Sequence, residues 1–524
     1  MRERPAGLLR RAVASLSLAN LLGLQVWLVL FRPGQEAPLP GVEFAAAILA
    51  VLLLAAGLWS IDALLRLTPE PARGTVRVAG LAFAWVLIAW AALKPSLQQW
   101  LQFALGTWRT WLLAVLVVAA LLLLAALWRH QRRAMSWMSL AALALSPYVL
   151  VTFAHAGWEA HARGVAAVSD VRDATPRLAP GQHRLRTVVL LFDEFDYELA
   201  FGPTAGRQLL PALDTLRGQA LFARNAYPPM HSTMMSVPAM LTGRLVRDGR
   251  FSDEHPGDLQ LRFDPDDREL LSTQPTLFSD LRARGLTSLR MNDALLPHAR
   301  LPGVADADVV VPPAPDQLRS LPDHVAGHLI AMSTLLPFAK GHAIEARLER
   351  ALGVPPASVH VAQVADQMVD LAGDGAADLL FLHILLPHLP VVFDPTADTF
   401  ASTTSPDYRD NLKGVDQVVG RILARLKSTG RLDETQLIVV SDHFFRTKRA
   451  MYGLGDHRIP FIARFARDER PVGDFDRPFN TVLLRAMLVD VADGDIRDSA
   501  GLARWIDAHA TFGESPLTEY RKGW

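Results

Sequence analysis

Apolar positions along the chain fall into two regimes. In the first third they form five runs, at residues 12–31, 43–65, 76–93, 110–128 and 137–157, each close to the ~20 residues a helix needs to cross a hydrocarbon core. From residue 187 onward the runs shorten and alternate between two periods. Thr187–Phe192 and Leu437–Val440 are apolar runs of strand length, the pattern of strands buried on both faces. Residues 306–311 and Asp378–His383 also predict extended segments. Helical spacing predicts helices over Gln208–Gln219, Ser236–Leu241, Thr276–Arg284 and Ser358–Ala372. It is plainest over Tyr408–Thr429, where Leu412, Val415, Val419, Ile422 and Leu426 lie on one stripe ahead of Gly430. This alternation predicts an α/β sheet covered by helices on both faces.

Basic residues orient the five apolar runs. Arg2, Arg4, Arg10 and Arg11 precede the first, Arg66, Arg73 and Arg77 lie between the second and third, and Arg129, Arg132 and Arg133 between the fourth and fifth. The alternate loops hold only Arg32, Lys94 and Arg109. By the positive-inside rule the amino terminus is cytoplasmic, and an odd number of spans puts residues 158–524 outside. A cleavable signal peptide would also fit the basic start, but no small-residue cleavage site follows Leu30 and four further spans come after it. The expected organisation is a five-helix transmembrane domain (1–157), a linker along the membrane surface (158–186) and an exported domain (187–524). Residues 312–357 fit this scheme as a helical insertion on the sheet, or, over 335–352, as an amphipathic membrane-surface helix that helps admit a lipid.

Composition narrows the partners. Lys and Arg number 53, as do Asp and Glu, so there is no basic footprint for nucleic acid. With no cysteine, the exported part holds together without disulfides.

The chemistry gathers at the ends of the predicted strands. Asp193-Glu194 closes the first run and Asp442-His443 follows the second. At the carboxyl edge of an α/β sheet such residues can hold a metal, although a strand-end acid pair is also commonly a helix cap. Between them lies His231-Ser232-Thr233-Met234-Met235-Ser236-Val237-Pro238-Ala239-Met240-Leu241-Thr242-Gly243-Arg244, two hydroxyls at the head of a predicted helix. Ser232 or Thr233 can serve as its cap, and a helix amino terminus also favours an anionic ester beside a hydroxyl nucleophile. His383 sits at a predicted strand end, His388 in a turn bounded by Pro387 and Pro390, and His457 just before another apolar run.

These motifs resemble those of the alkaline phosphatase and sulfatase superfamily. Within it, Ser-Thr-x-x-Ser-Val-Pro-x-Met is similar to the stretch around the nucleophile of the membrane-anchored phosphoethanolamine and phosphoglycerol transferases of bacterial envelopes. In sulfatases the nucleophile stands ten residues before the Gly of a Leu-Thr-Gly-Arg-like ending, and counting back from Gly243 gives Thr233. The sulfatase signal for formylglycine, Cys/Ser-x-Pro-x-Arg, is absent. The Asp-His pair is followed by Phe444-Phe445-Arg446, where the family often has Gly.

The resemblance implies a sulfatase-like α/β domain with a mixed, mostly parallel sheet in a bacterial inner-membrane protein, its catalytic domain periplasmic. It implies a divalent ion, zinc or manganese, held by Glu194, Asp193, Thr233, Asp442 and His443. Thr233, His457 and His388 become the catalytic residues, and His383, His388 and His457 those that meet the substrate. The implied reaction transfers a phospho-headgroup from a membrane phospholipid to an envelope glycan or lipid through a phospho-threonine. A sulfatase-like phosphodiesterase or phosphatase, with water as acceptor, needs the same residues, and an inactive membrane scaffold is the third reading.

Overall fold

The computed structural model describes residues 5–31, 41–65, 67, 74, 76–89, 131–164, 186–203, 210–252, 254–255, 258–286, 288–292, 301, 321–333, 357–374, 377–401, 407–466 and 468–517. They belong to two compact units, one from residues 1–33, 39–169 and 319–355, the other from 34–38, 170–318 and 356–524.

The first unit is helical. Gly41–Leu65 and Ser136–His161 are long and apolar enough to cross a membrane, and a bent pair, Gly7–Leu22 with Leu24–Leu30, passes the same test if counted as one span with a 55° break. The break falls at Gly23, where a β-carbon would stand 3.2 Å from the Met332 side chain and 3.3 Å from Val51. The third expected run appears as the shorter apolar helix Val76–Ala89, and the fourth lies outside the described residues. The described residues therefore carry two or three candidate spans where the apolar runs predicted five.

Helix Leu321–Ser333 also belongs to this unit and packs against Gly41–Leu65. His324 Nδ1 lies 3.2 Å from Glu43 Oε1, and His328 Nε2 lies 2.9 Å from Glu43 Oε2. The described helix of the inserted segment thus packs on the apolar helices. Its helical period gave no means of telling that destination from the expected one on the sheet. The amphipathic stretch 335–352 lies outside the described residues.

The second unit is built on an eight-stranded sheet. The strands of this unit are β1 (Arg186–Asp193), β2 (Leu221–Tyr227), β3 (Asp248–Phe251), β4 (Leu259–Arg262), β5 (Glu269–Leu270), β6 (Leu289–Asn292), β7 (Leu379–Pro387), β8 (Phe393–Asp394), β9 (Thr399–Phe400), β10 (Thr435–Ser441), β11 (Ile459–Arg464), β12 (Gly473–Phe475) and β13 (Phe479–Asn480). The main sheet runs β12-β2-β11-β10-β1-β7-β6, with β13 also paired to β2. Strands β6, β7, β1 and β10 are parallel neighbours, and β11 alone runs against its neighbours β10 and β2. The mixed, mostly parallel sheet matches the expectation.

Successive side chains on a strand face opposite ways, and β1 divides its residues between two cores. Val189 and Leu191 enter one with the helices Thr233–Thr242, Leu277–Ala283 and Leu484–Asp493. Val188, Leu190 and Phe192 enter the other with Ala357–Asp374 and Tyr408–Ser428. Both faces are covered, which is why β1 and β10 read as unbroken apolar runs. Four of the predicted helices are present near their expected bounds, at Pro211–Arg217, Thr233–Thr242, Leu277–Ala283 and Ala357–Asp374, and Tyr408–Ser428 ends ahead of Gly430 at φ 72°. The extended segment expected at 306–311 lies outside the described residues.

Candidate metal centre and nucleophile

Register puts the chemistry on one face and one edge. In the parallel sheet Leu191 of β1 is level with His383 of β7 and Val440 of β10, so these three point the same way. Beside that face, Asp193 closes β1 just past a shift in its register with β7, and Asp442 directly follows β10, both at the carboxyl ends of their strands. The face is the one covered by helix Thr233–Thr242.

The Thr233 hydroxyl donates to Asp442 Oδ2 at 2.7 Å and lies 3.3 Å from His443 Nε2. Ser232 occupies the cap position of the helix but makes no side-chain cap, and Thr233, the first helical residue, turns its hydroxyl to the acid. Asp442 is wholly buried. Its other oxygen accepts the backbone N–H groups of His443 (2.6 Å) and Glu194 (3.1 Å). His443 Nδ1 faces the carbonyl of Phe444 at 3.0 Å and donates to it, which turns Nε2 toward Thr233 and Asp442 as the atom that would offer a lone pair to a cation.

Asp193, Asp442 and His443 bring ligand atoms within 4.8 Å of one another, all buried. Burial first, and Asp442 next, hold the Asp193 carboxyl well above the usual carboxylate range, and its Oδ1 has no hydrogen-bond partner. Two buried acids side by side, one with an orphaned oxygen, and an imidazole lone pair fit a divalent cation. Carboxylate with imidazole suits zinc or manganese better than calcium.

Glu194 is placed differently. Its carboxylate pairs with Arg446 Nε at 2.8 Å, while its backbone takes φ 63°, a left-handed conformation costing a side-chain-bearing residue roughly 1–2 kcal/mol. The hydroxyl of wholly buried Tyr408 donates to its carbonyl at 2.5 Å, and its N–H is held by Asp442. Burial, with Asp196 and Glu194 nearby, pushes the Tyr408 phenol up, so it stays protonated as the donor. A second clamp holds the same loops: Asp196 pairs with Lys448 at 2.6 Å and accepts N–H groups from Leu199 and Phe445.

The three other histidines have distinct settings. His383 is 1% exposed, at the position of β7 level with Leu191 of β1. His388 Nδ1 donates to Leu389 O at 2.5 Å, and its turn is tied down by Asn411, whose amide donates to the carbonyls of Pro387, His388 and Pro390. His457 stacks on Phe444 at 4.6 Å and meets Glu514 at 2.6 Å. Phe444 and Phe445, where the family often has Gly, are both buried, with Phe445 stacked on Tyr408 at 4.0 Å. Beside the nucleophile, burial first, and the neighbouring His443 and Arg446 next, push His231 down to about 4, so it is neutral near pH 7.

Arg446, Tyr408, Asn411, Lys448 and Glu514 were not singled out from the sequence. Each meets its partner across a long separation, and none stands in a motif of its own.

A family model described as Sulfatase matches residues 186–482, more than half of the chain. The chain belongs to the sulfatase family. Its superfamily consists of metal-dependent enzymes. Among solved structures, the chain is similar to a protein of the alkaline phosphatase superfamily from Vibrio parahaemolyticus, at 15% identity, covering 61% of this chain and 68% of that one with a TM-score of 0.39. It is similar to a phosphonate monoester hydrolase from Agrobacterium radiobacter, at 15% identity over 59% and 74% of the two chains, TM-score 0.39. It is also similar to a sulfatase from a Pseudoalteromonas species, at 16% identity over 64% and 72%, TM-score 0.37. No curated protein sequence matches the chain.

Proposed function

We propose that this protein is a membrane-anchored phosphotransferase that moves a phospho-headgroup from a membrane phospholipid to an envelope glycan or lipid through a covalent phospho-threonine at Thr233. The observation that carries this reading is the Thr233 hydroxyl, 2.7 Å from Asp442 Oδ2 at the head of a helix and 3.3 Å from His443 Nε2.

Asp193, Asp442 and His443 would hold the ion, with Thr233 beside them and Glu194 within the same loop. When bound, a divalent ion neutralises charge on phosphoryl oxygens and lowers the pKa of a coordinated hydroxyl. Thr233 Oγ1 attacks phosphorus, its proton passing to Asp442 Oδ2, and the ester bond to the diacylglycerol oxygen breaks. His457 or His388 protonates that oxygen, then takes the proton of the acceptor hydroxyl as it attacks phosphorus and the Thr233–phosphate bond breaks, Thr233 Oγ1 recovering its proton from Asp442 Oδ2. His383, on the strand next to that of Asp193, meets the substrate phosphate. The apolar helices of the first unit support an anchor that keeps the enzyme at the lipid surface, with the catalytic unit on the periplasmic side.

Membership of the sulfatase family favours a second reading, in which water is the acceptor and the enzyme is a hydrolase. Both readings share the first half-reaction. Brief incubation with phospholipid vesicles, followed by mass spectrometry of the peptide Asn225–Arg244, should find phosphate or a phospho-headgroup on Thr233. An unmodified peptide alongside continuing release of diacylglycerol would overturn the covalent route. Comparing envelope lipids and glycans from cells with and without the protein then separates transfer from hydrolysis.

A further inference from the structure

We propose that Glu514 is the positioning residue for His457, an inference that rests on His457 acting on the leaving group. His457 Nδ1 and Glu514 Oε1 are 2.6 Å apart, and the imidazole lies nearly flat on Phe444, with 22° between the rings. Phe444 directly follows His443, so the stack ties His457 to the loop that carries the ion site.

A nearer acid in sequence does not serve His457. Asp456 is taken by Arg458, through Nε at 2.7 Å, Nη2 at 2.5 Å and the backbone N–H at 2.9 Å. Glu514 is therefore the carboxylate that meets the ring. It accepts the Nδ1 proton and so assigns Nε2 as the atom that exchanges a proton with the reacting oxygen.

The segment bearing Glu514 is anchored to the approach to the nucleophile. Asn480 Nδ2 lies 2.9 Å from both Pro228 O and Gly513 O, and Pro228 leads into Met230–Thr233. At Gly513 a β-carbon would meet Pro478 at 3.0 Å and the Tyr227 ring at 3.0 and 3.1 Å, so glycine there allows the close approach. Ser515 and Leu517 are buried on the other side of Glu514. The carboxylate is thus held by backbone fixed at both ends, although its own side chain is 44% exposed. Glu514 lies beyond the residues matched by the family model, which end at 482.

The test uses full-length protein in detergent with added manganese, bis(p-nitrophenyl) phosphate as probe, and ¹⁵N-histidine labelling to read the His457 tautomer. Wild type should carry the proton on Nδ1. Glu514→Ala should move it to Nε2 and lower kcat about a hundredfold with KM unchanged. Glu514→Gln keeps an acceptor for Nδ1–H and should restore the tautomer and part of the rate. In a His457→Gln background Glu514→Ala should have no further effect. An unchanged tautomer in Glu514→Ala, or an equal loss of rate with and without His457, overturns the proposal. If His457→Gln turns over like wild type, the acid role of His457 has failed. If it is impaired while Glu514→Ala is not, only the role of Glu514 has failed.

Discussion

Lys448 and Asp196 form an ion pair at 2.6 Å with side chains 2% and 0% exposed. Burial raises the Asp196 carboxyl more than Lys448 and the N–H groups of Leu199 and Phe445 lower it. Removing the ammonium therefore strands an acid in a dry site. Lys448→Met should destabilise the protein by roughly 3–5 kcal/mol, read as a lower midpoint in denaturant. Since a raised folded pKa means stability held at low pH and lost on the way up, the loss should be larger at pH 8 than at pH 5.

Asp193 gives a second dependence on pH. Its folded pKa lies above the unfolded value of about 3.9, so its contribution to stability is complete below that pH and is lost as pH rises through the folded pKa. Chelator-treated protein should melt at progressively lower temperature over this rise, and Asp193→Asn should flatten the trend. Divalent ion should restore the wild type at neutral pH and leave Asp193→Asn little changed. A chelated wild type that gains stability with pH across that window would refute this.

Metal content should separate the strand-end residues. Purified protein is expected to hold about one divalent ion per chain, and Asp442→Ala or His443→Ala should lose it by elemental analysis. Full occupancy in both variants would remove these residues from the ligand set.

Thr233→Ala should abolish turnover while fold and ion survive. The lost hydrogen bond, made to a charged acceptor, is worth about 1.5–3 kcal/mol, within a typical domain stability of ~5–15 kcal/mol. Thr233→Ser keeps the hydroxyl and should keep part of the rate. Normal turnover by Thr233→Ala would reduce the residue to a structural one.

The ten basic residues on one set of loops against three on the other predict that everything after residue 158 faces the periplasm. A reporter active only outside the cytoplasm, fused after residue 160, should be active. Activity of a cytoplasm-only reporter at that position would reverse the orientation.

The parts of the site that were legible in the sequence stand at the ends of apolar runs. Asp193, Asp442 and His443 were exposed to reading because burial on both sheet faces makes β1 and β10 continuous and their polar ends abrupt. Thr233 was legible from its place before a helix and its spacing to Gly243. The direction of the Glu194 side chain was not, because Arg446 and Tyr408 meet it across more than two hundred residues and a left-handed backbone at a Glu has no local signal. Glu514 was not legible either, because it meets His457 from 57 residues away with no motif around it. Among the spans, apolar length alone predicted the first run as one helix, whereas the chain bends at Gly23.

Helix Leu321–Ser333 has a practical consequence for anyone who wants the catalytic half in soluble form. Cutting the chain at the linker near residue 186 does not give one clean fragment, because 321–333 travels with the fragment while Glu43 and Gly23 stay behind. His324, His328 and Met332 would then face water without the helices they meet in the intact protein. A fragment with residues 319–355 replaced by a short polar loop should stay monomeric where the simple truncation aggregates.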